Sequence, residues 1–257
     1  MSKKQPGLGT PSSSFTSKYL HRPGVDVPGA TEEHISSFKK NHYCIIKNYV
    51  PEAFINNLLM CAKTSHLYHP QNGRLEAYNA TRFAYPTSNP LLDTTIKNIS
   101  KTRLQVVKAD TNPISDSMFT QTITEQKYWC RFMKYSKGHP FPPHRDSRHE
   151  VMAIMFLSQP GQDYSGGLTI IKDDLTEINL DSFCNKGDLL IVSGGRYIHY
   201  VDTAPTPGRD GRITFFVNSH PSDLEGVLRN FSNVEEARNY IRATAFGNDW
   251  VLDDSKL

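Results

Sequence analysis

The sequence lacks long apolar runs, dense charge blocks and a secretory leader. No stretch approaches the roughly 18 consecutive apolar residues that cross a bilayer, so we expect no membrane segment. Lys and Arg are scattered and the formal net charge is only +3, which offers no basic face to nucleic acid. The basic N-terminus is not followed by an apolar segment. We therefore expect a cytoplasmic protein with neither nucleic-acid nor membrane partners.

Cysteine is also scarce, and its spacing excludes a zinc ribbon and a disulfide scaffold. The four cysteines, Cys44, Cys61, Cys130 and Cys184, are far apart in sequence and have apolar neighbours. We expect them to be buried, reduced thiols. Aromatic residues, in contrast, make up 11% of the 257 residues, which is enough for a packed core.

The composition and the predicted secondary structure change along the chain. Residues 1–30 are rich in Ser, Pro, Gly and Lys and are predicted to form a flexible arm. Residues 31–257 are predicted to form a single domain with a β core at about 120–220. Helices are predicted after Thr31, from Pro51, from about Asn89 and over Val234–Ala243. A strand is predicted over 43–50, and the β core should contain strands at 128–135, 151–157, 168–171, 176–180, 188–192, 197–202 and 212–218. The pattern indicates a mainly β sandwich or barrel with helical support.

Two histidines and an aspartate suggest a metal site. His144 and Asp146 are two residues apart in an extended segment, so their side chains should point to the same face. His199 lies in a later predicted strand. Two His and one carboxylate, with the other coordination positions open, are the ligand set of non-haem Fe(II) oxygenases.

A third element strengthens this interpretation. Arg212 begins an apolar strand, where a charge is costly unless a carboxylate pairs with it. The 5-carboxylate of 2-oxoglutarate would be such a partner. Thr214, two residues on, faces the same side and has a hydroxyl to donate.

The ordered set of these residues resembles the Fe(II)/2-oxoglutarate-dependent dioxygenases, most closely their prolyl-4-hydroxylase-type branch. The resemblance covers residues 128–218, and Arg212 stands where that branch usually has Lys. It rests on Tyr135-Ser-Lys-Gly138, His144-Arg-Asp146, Tyr164-Ser-Gly166-Gly167-Leu168, Lys186-Gly187-Asp188, His199 and Arg212-Ile-Thr214.

The resemblance implies a double-stranded β-helix, a cupin-like jelly roll, with N-terminal helices and a C-terminal helix. It implies Fe(II) held by His144, Asp146 and His199, and 2-oxoglutarate held by Arg212, Thr214 and Tyr135. With O2 as the other co-substrate, such an enzyme hydroxylates an unactivated C–H bond and releases succinate and CO2.

The substrate is less well defined by the sequence. Arg82 is a lone charge among small and apolar residues, and its position resembles that of an Arg in small free-amino-acid oxygenases and halogenases. We expect Arg82 to bind the carboxylate of a free amino acid or derivative, and Glu125 its ammonium group. Each is also consistent with a structural role. Further candidates are His139, Asn218, His220 and Trp250.

Three alternatives remain open. The same fold can hydroxylate prolyl or lysyl residues of a protein or peptide. A zinc hydrolase could use the same three ligands, although it lacks an obvious general base and leaves Arg212 unexplained. A non-catalytic, cupin-like metal-binding protein is the third. A nucleic-acid demethylase would need a base-stacking lid and a basic groove, which the sequence does not indicate. The oligomeric state is open.

Overall fold

The structure, a computed structural model, describes about two thirds of the chain. The described residues are 27–64, 67–68, 81–84, 90–108, 129–135, 141–146, 151–218 and 227–244. The helices are α1 (Glu32–Asn41), α2 (Glu52–Thr64), α3 (Pro90–Lys108) and α4 (Val234–Thr244). The strands are β1 (Tyr43–Ile46), β2 (Leu67–Tyr68), β3 (Thr81–Ala84), β4 (Trp129–Tyr135), β5 (Phe141–Asp146), β6 (Val151–Phe156), β7 (Tyr164–Ile171), β8 (Glu177–Asn179), β9 (Leu189–Ser193), β10 (Ile198–Pro205), β11 (Arg212–Asn218) and β12 (Val227–Asn230).

The strands form two antiparallel sheets that pack face to face. The larger sheet has seven strands in the order β1-β9-β6-β11-β4-β3-β2, and the smaller has five in the order β12-β5-β10-β7-β8. Apolar side chains of both sheets, such as Ile154 and Ile170, form the core between them. A second core, which includes Ile99 and Phe215, lies between the larger sheet and the N-terminal helices. A third packs α4 against the smaller sheet. The predicted mainly β class with helical support is confirmed.

Local sequence explains where the helices begin and end. Thr31 caps α1 by accepting a hydrogen bond from the His34 backbone N–H, and His34 accepts in return from the Thr31 N–H. The helix ends at Asn41, and the following residue, His42, takes a left-handed conformation with φ of 58°. Asn233 caps α4 by accepting from the Glu236 backbone N–H at 2.9 Å. No helix among the described residues has an apolar stretch long enough to cross a bilayer.

Two strands differ from prediction because of residues with unusual backbones. The sequence predicts only an extended segment around His144, yet β5 lies between β10 and β12 although its two prolines cannot donate to a ladder. The Pro143 carbonyl still accepts a hydrogen bond there, from the Phe231 N–H at 2.8 Å. β7 begins at Tyr164 rather than 168 because Gly166, with φ of 77°, lets the chain approach β10. A Cβ at Gly166 would lie 2.1 Å from the Asp202 carbonyl oxygen.

Other differences concern short elements. The strand predicted over 43–50 ends at Ile46, since Asn48 has φ of 51° and its N–H donates to the Asp188 carboxylate at 2.8 Å. The β2–β3 pair and β12 were not predicted, because a run of two to four residues leaves little periodic signal. No disulfide links the four cysteines, all of which the structure describes.

Candidate functional site

Strand pairing brings the two candidate histidines together. His144 of β5 and His199 of β10 are direct partners in the antiparallel ladder of the smaller sheet. Their ring centroids are 4.2 Å apart. Since side chains alternate along a strand, Asp146 emerges on the same face two residues beyond His144. The fold thus brings together two histidines that are 55 residues apart in the sequence.

The three side chains have the geometry of a metal-binding group. The Nε2 atom of His144 is 3.5 Å from one oxygen of Asp146, and Nε2 of His199 is 3.3 Å from the other. One ligand atom from each residue lies within 4.8 Å of the others, and all three residues are buried. Ligands bonded at about 2.1 Å on one face of a metal lie about 3 Å apart, so the spacing fits. Among the described residues, this is the sole group of its kind.

Backbone carbonyls orient both imidazoles. Nδ1 of His144 is 2.8 Å from the Pro142 carbonyl oxygen, and Nδ1 of His199 is 3.1 Å from that of Tyr197. A carbonyl oxygen can only accept, so each Nδ1 carries the proton and donates it. Nε2 of each ring, on the side of Asp146, is then the atom left to ligate a metal ion.

The electrostatics of the group favour its metal-binding form. Burial and the neighbouring His199 lower the pKa of His144 to about 4, so this imidazole is neutral at physiological pH. Burial alone would raise the pKa of Asp146, but the charge and hydrogen bond of His199 hold it below its ordinary value. Burial alone would lower the pKa of His199, but the Asp146 carboxylate raises it. An ionised carboxylate and a neutral histidine are therefore already in place, and a metal ion would displace the proton shared with His199.

Gly194 supports Asp146 and was not predicted as part of the site. Its carbonyl oxygen accepts a hydrogen bond from the Asp146 backbone N–H at 3.2 Å. A Cβ at position 194 would lie 2.2 Å from Oδ2 of Asp146 and 3.0 Å from its Cγ. Only glycine therefore leaves room for the carboxylate where it stands. The signal in the sequence was the Gly194-Gly195 pair directly before the strand of His199.

We expect Gly194→Ala to weaken metal binding at least tenfold, because the new methyl group displaces the Asp146 carboxylate. Equilibrium dialysis with Mn(II) measures the effect. Gly29→Ala is the control, since a Cβ there meets chiefly the flexible Gln105 side chain, at 3.2 Å. Equal affinities for the wild type and Gly194→Ala would show that Asp146 does not ligate the metal in this position.

Arg212 has a carboxylate partner within the chain, which the sequence argument did not foresee. Its Nε and Nη2 atoms donate to the two oxygens of Asp181 at 2.6 and 3.2 Å. Asp181 also accepts from the Tyr164 hydroxyl at 2.7 Å and from the Leu168 N–H at 3.1 Å. Arg212 therefore does not need an external carboxylate to balance its charge, and that expectation is wrong. Its assignment to 2-oxoglutarate stays a prediction.

The other two predicted co-substrate residues lie beside Arg212. Tyr135 is its register partner on β4, and the Arg212 guanidinium carbon is 4.9 Å from the Tyr135 ring centroid. Thr214 follows two residues later on the same face of β11, and its hydroxyl is buried without a hydrogen-bond partner. Because an unsatisfied buried hydroxyl is costly, this atom indicates room for an acceptor from outside the chain. The residues thus fit an Fe(II) ion with a 2-oxo acid.

Arg131 is a further charged residue that the sequence argument missed. It pairs in register with Phe216, and its guanidinium carbon is 4.7 Å from the Phe216 ring centroid. Burial raises the pKa of Asp146, and the positive charge of Arg131, after the two histidines, helps to hold it below its ordinary value. Arg131 lies on the same face of β4 as Met133 and Tyr135, which face the inter-sheet core. This two-residue spacing was the signal in the sequence that could have identified it.

The predicted substrate residues are the least constrained by the structure. Arg82 lies on β3 opposite Lys134, while its neighbours Thr81 and Phe83 stand opposite Tyr135 and Met133. Position 218 lies on β11 opposite Trp129, four residues after Thr214. The other four candidates, Glu125, His139, His220 and Trp250, lie outside the described residues.

No protein-family model matches the chain, and no curated protein matches it either. Solved structures do resemble it. A prolyl hydroxylase from Trichoplax adhaerens, in complex with a hypoxia inducible factor peptide fragment, has a TM-score of 0.52 at 16% identity, covering 72% of this chain and 86% of its own. The non-heme alpha-ketoglutarate-dependent carbocyclase SnoK of nogalamycin biosynthesis has a TM-score of 0.51 at 10% identity, covering 77% and 89%.

A third similar structure is HygX from Streptomyces hygroscopicus with nickel, 2-oxoglutarate and hygromycin B bound. Its TM-score is 0.50 at 13% identity, covering 74% of this chain and 86% of its own. At these identities the likeness concerns the fold, and it agrees with the sheet order and the core described above. The chain therefore has the double-stranded β-helix fold of the Fe(II)/2-oxoglutarate-dependent oxygenases, as the sequence resemblance predicted.

Proposed function

We propose that this chain is an Fe(II)- and 2-oxoglutarate-dependent dioxygenase that hydroxylates an unactivated C–H bond of a small molecule, releasing succinate and CO2. The observation that carries the proposal is the group formed by His144, Asp146 and His199, whose ligand atoms lie within 4.8 Å of one another. Three ligands on one face leave the remaining coordination positions for the co-substrate and O2. The unpartnered hydroxyl of Thr214 supports the co-substrate part.

The residues of the chain divide into two tasks. His144 and His199 would each donate an Nε2 lone pair, and Asp146 would supply a negative charge that offsets part of the metal charge. Arg212, Tyr135 and Thr214 would donate hydrogen bonds to the distal carboxylate of 2-oxoglutarate. Bound Fe(II), 2-oxoglutarate and O2 together would supply the oxidising power that an unactivated C–H bond requires. The apolar residues of the inter-sheet core would limit the access of water to the bound co-substrates.

The similar structures support this chemistry. HygX binds nickel, 2-oxoglutarate and hygromycin B, and SnoK is an alpha-ketoglutarate-dependent carbocyclase. Both share the fold, and their descriptions name small molecules, hygromycin B for HygX and nogalamycin biosynthesis for SnoK. The T. adhaerens enzyme, in contrast, is a prolyl hydroxylase with a peptide bound. Hydroxylation of a prolyl or lysyl residue in a protein is therefore the second candidate function.

For the substrate we propose a free amino acid or amino-acid derivative, with Arg82 on its carboxylate and Glu125 on its ammonium group. The proposal rests on the isolated charge of Arg82 among small and apolar residues of the sequence.

Succinate release measures which class of compound stimulates turnover. We expect a free amino acid from a panel of the common ones to stimulate release, whereas its N-acetyl amide and peptides carrying it internally should not. Blocking both termini removes the charges that Arg82 and Glu125 would bind. Stronger stimulation by peptides or intact protein would replace this proposal by the protein-hydroxylase alternative.

Arg82→Ala should remove substrate-stimulated succinate release while leaving the binding of metal and 2-oxoglutarate unchanged. Lys134→Ala is the matched control, because Lys134 is the register partner of Arg82 and its ammonium pairs with Asp210 at the surface, 2.8 Å away. Full stimulation in Arg82→Ala, or equal losses in both variants, would remove Arg82 from the substrate site.

A further inference from the structure

A buried ion pair lies where the distal end of a 2-oxo acid would bind. The side chains of Arg212 and Asp181 are 2% and 0% exposed, and Arg212 Nε is 2.6 Å from Oδ2 of Asp181. The carboxylate takes the edge of the guanidinium formed by Nε and Nη2. Arg212 also donates a hydrogen bond to the Tyr135 side chain, and a ligand carboxylate would approach the remaining part of the guanidinium beside it.

Asp181 is held in this position by hydrogen bonds and by the close approach of Gly167. It accepts four hydrogen bonds in all, two of them from the Tyr164 hydroxyl and the Leu168 N–H. A Cβ at Gly167, which has φ of 144°, would lie 2.4 Å from the Asp181 Cβ and 2.5 Å from its Cγ. Gly167, the second glycine of the Gly166-Gly167 pair, therefore leaves the space that the Asp181 side chain fills.

The remaining groups around Arg212 are hydroxyl-bearing or aromatic. The guanidinium carbon is 4.9 Å from the Tyr135 ring centroid and 5.5 Å from that of Phe156. The Thr214 hydroxyl, on the same face of β11, is buried and unpartnered. Since Arg212 and Asp181 carry opposite charges, the pair itself has no net charge before any ligand arrives.

We propose that Asp181 sets the co-substrate selectivity, so that this chain discriminates only weakly between 2-oxoglutarate and 2-oxo acids that lack the distal carboxylate. If Arg212 were buried without a partner, a 2-oxo acid without the distal carboxylate would leave its charge uncompensated. The affinity for that acid would then be lower by a factor of thousands than the affinity for 2-oxoglutarate. Here Asp181 compensates Arg212 in either case. The distal carboxylate adds hydrogen bonds from hydroxyls and the remaining part of the guanidinium, but it does not neutralise an isolated charge. The inference rests on the proposed function.

The test compares two ligands by calorimetry on the full chain loaded with Mn(II). The ligands are 2-oxoglutarate and 2-oxopentanoate, which has the same five carbons without the distal carboxylate. We expect the wild type to prefer 2-oxoglutarate by less than about a hundredfold. Asp181→Asn removes the internal counter-charge, and the preference should rise at least about tenfold further. A wild-type preference above a hundredfold, or an unchanged preference in Asp181→Asn, overturns the inference.

Asp188→Asn is the matched control. Asp188 is likewise fully buried and accepts from Lys47, Asn48 and Asn185, but it does not contact Arg212. The Asp188→Asn variant should have a changed melting temperature, while its preference for 2-oxoglutarate over 2-oxopentanoate should stay at the wild-type value. A merely structural role of Asp181 would make the two variants alike. If Asp181→Asn does not fold, the wild-type preference alone decides.

The outcomes also separate this inference from the proposed function. Binding of 2-oxoglutarate with a strong wild-type preference keeps the proposed function and overturns the role of Asp181. Failure of every 2-oxo acid to bind the Mn(II)-loaded protein overturns both.

Discussion

Asp146→Ala should abolish metal-dependent succinate formation, with a loss of metal affinity above about a hundredfold. Asp146 is the sole anionic member of the group, and both histidine Nε2 atoms lie within 3.5 Å of its oxygens. Without it the site keeps two neutral donors and cannot offset the metal charge. Succinate release and Mn(II) dialysis measure the two effects.

Asp202→Ala is the control for this variant. Asp202 lies on the same strand as His199, three residues later, and is exposed. Its loss should leave both measurements unchanged. The Asp146→Ala chain should still fold, because the inter-sheet core is packed by apolar residues such as Phe156 and Leu190. Full turnover in Asp146→Ala would remove this residue from the ligand set, and the same experiment applies to His144 and His199.

Arg212→Met should lower the free energy of unfolding by about 3–5 kcal/mol, because it leaves the Asp181 carboxylate buried and uncompensated. For a domain of this size such a loss lowers the melting temperature by on the order of 10 °C. Arg212→Lys should lose less, since it keeps a positive charge near Asp181 but gives up the two-point contact. Thermal denaturation of the three proteins measures the series.

The double variant Arg212→Met/Asp181→Leu tests the cause of that loss. It removes both charges, so it should regain much of the stability that Arg212→Met loses, although the Tyr164 hydroxyl is left without its acceptor. Strictly additive losses would contradict a buried ion pair between these two residues. Neither variant should bind 2-oxoglutarate with wild-type affinity, since both lack the guanidinium.

Short-range patterns made much of this fold predictable. Short continuous apolar runs placed β6, β9 and β11, and local caps placed α1 and α4. The i, i+2 rule placed His144 and Asp146 on one face because strand geometry is local. β5 was harder, since Pro142 and Pro143 weaken the strand signal while their carbonyls still accept hydrogen bonds.

The missing parts of the site depend on contacts between distant segments. Asp181 is 31 residues from Arg212, and no local pattern distinguishes it from a surface aspartate beside Leu180. Gly194 matters only because the fold places it against Asp146. A Cβ atom at position 194 would lie 2.2 Å from the Asp146 carboxylate. Such pairings follow from sheet register, which a single sequence does not specify for strands far apart in the chain.

The central claim is that His144, Asp146 and His199 hold Fe(II) while Arg212, Tyr135 and Thr214 hold 2-oxoglutarate beside it. Anaerobic addition of Fe(II) and then 2-oxoglutarate tests it most directly by visible absorption. We predict a weak band toward the red end of the visible spectrum that needs both additions, does not form with Zn(II), and disappears in Asp146→Ala. A spectrum that stays unchanged after both additions to the wild type would contradict the account.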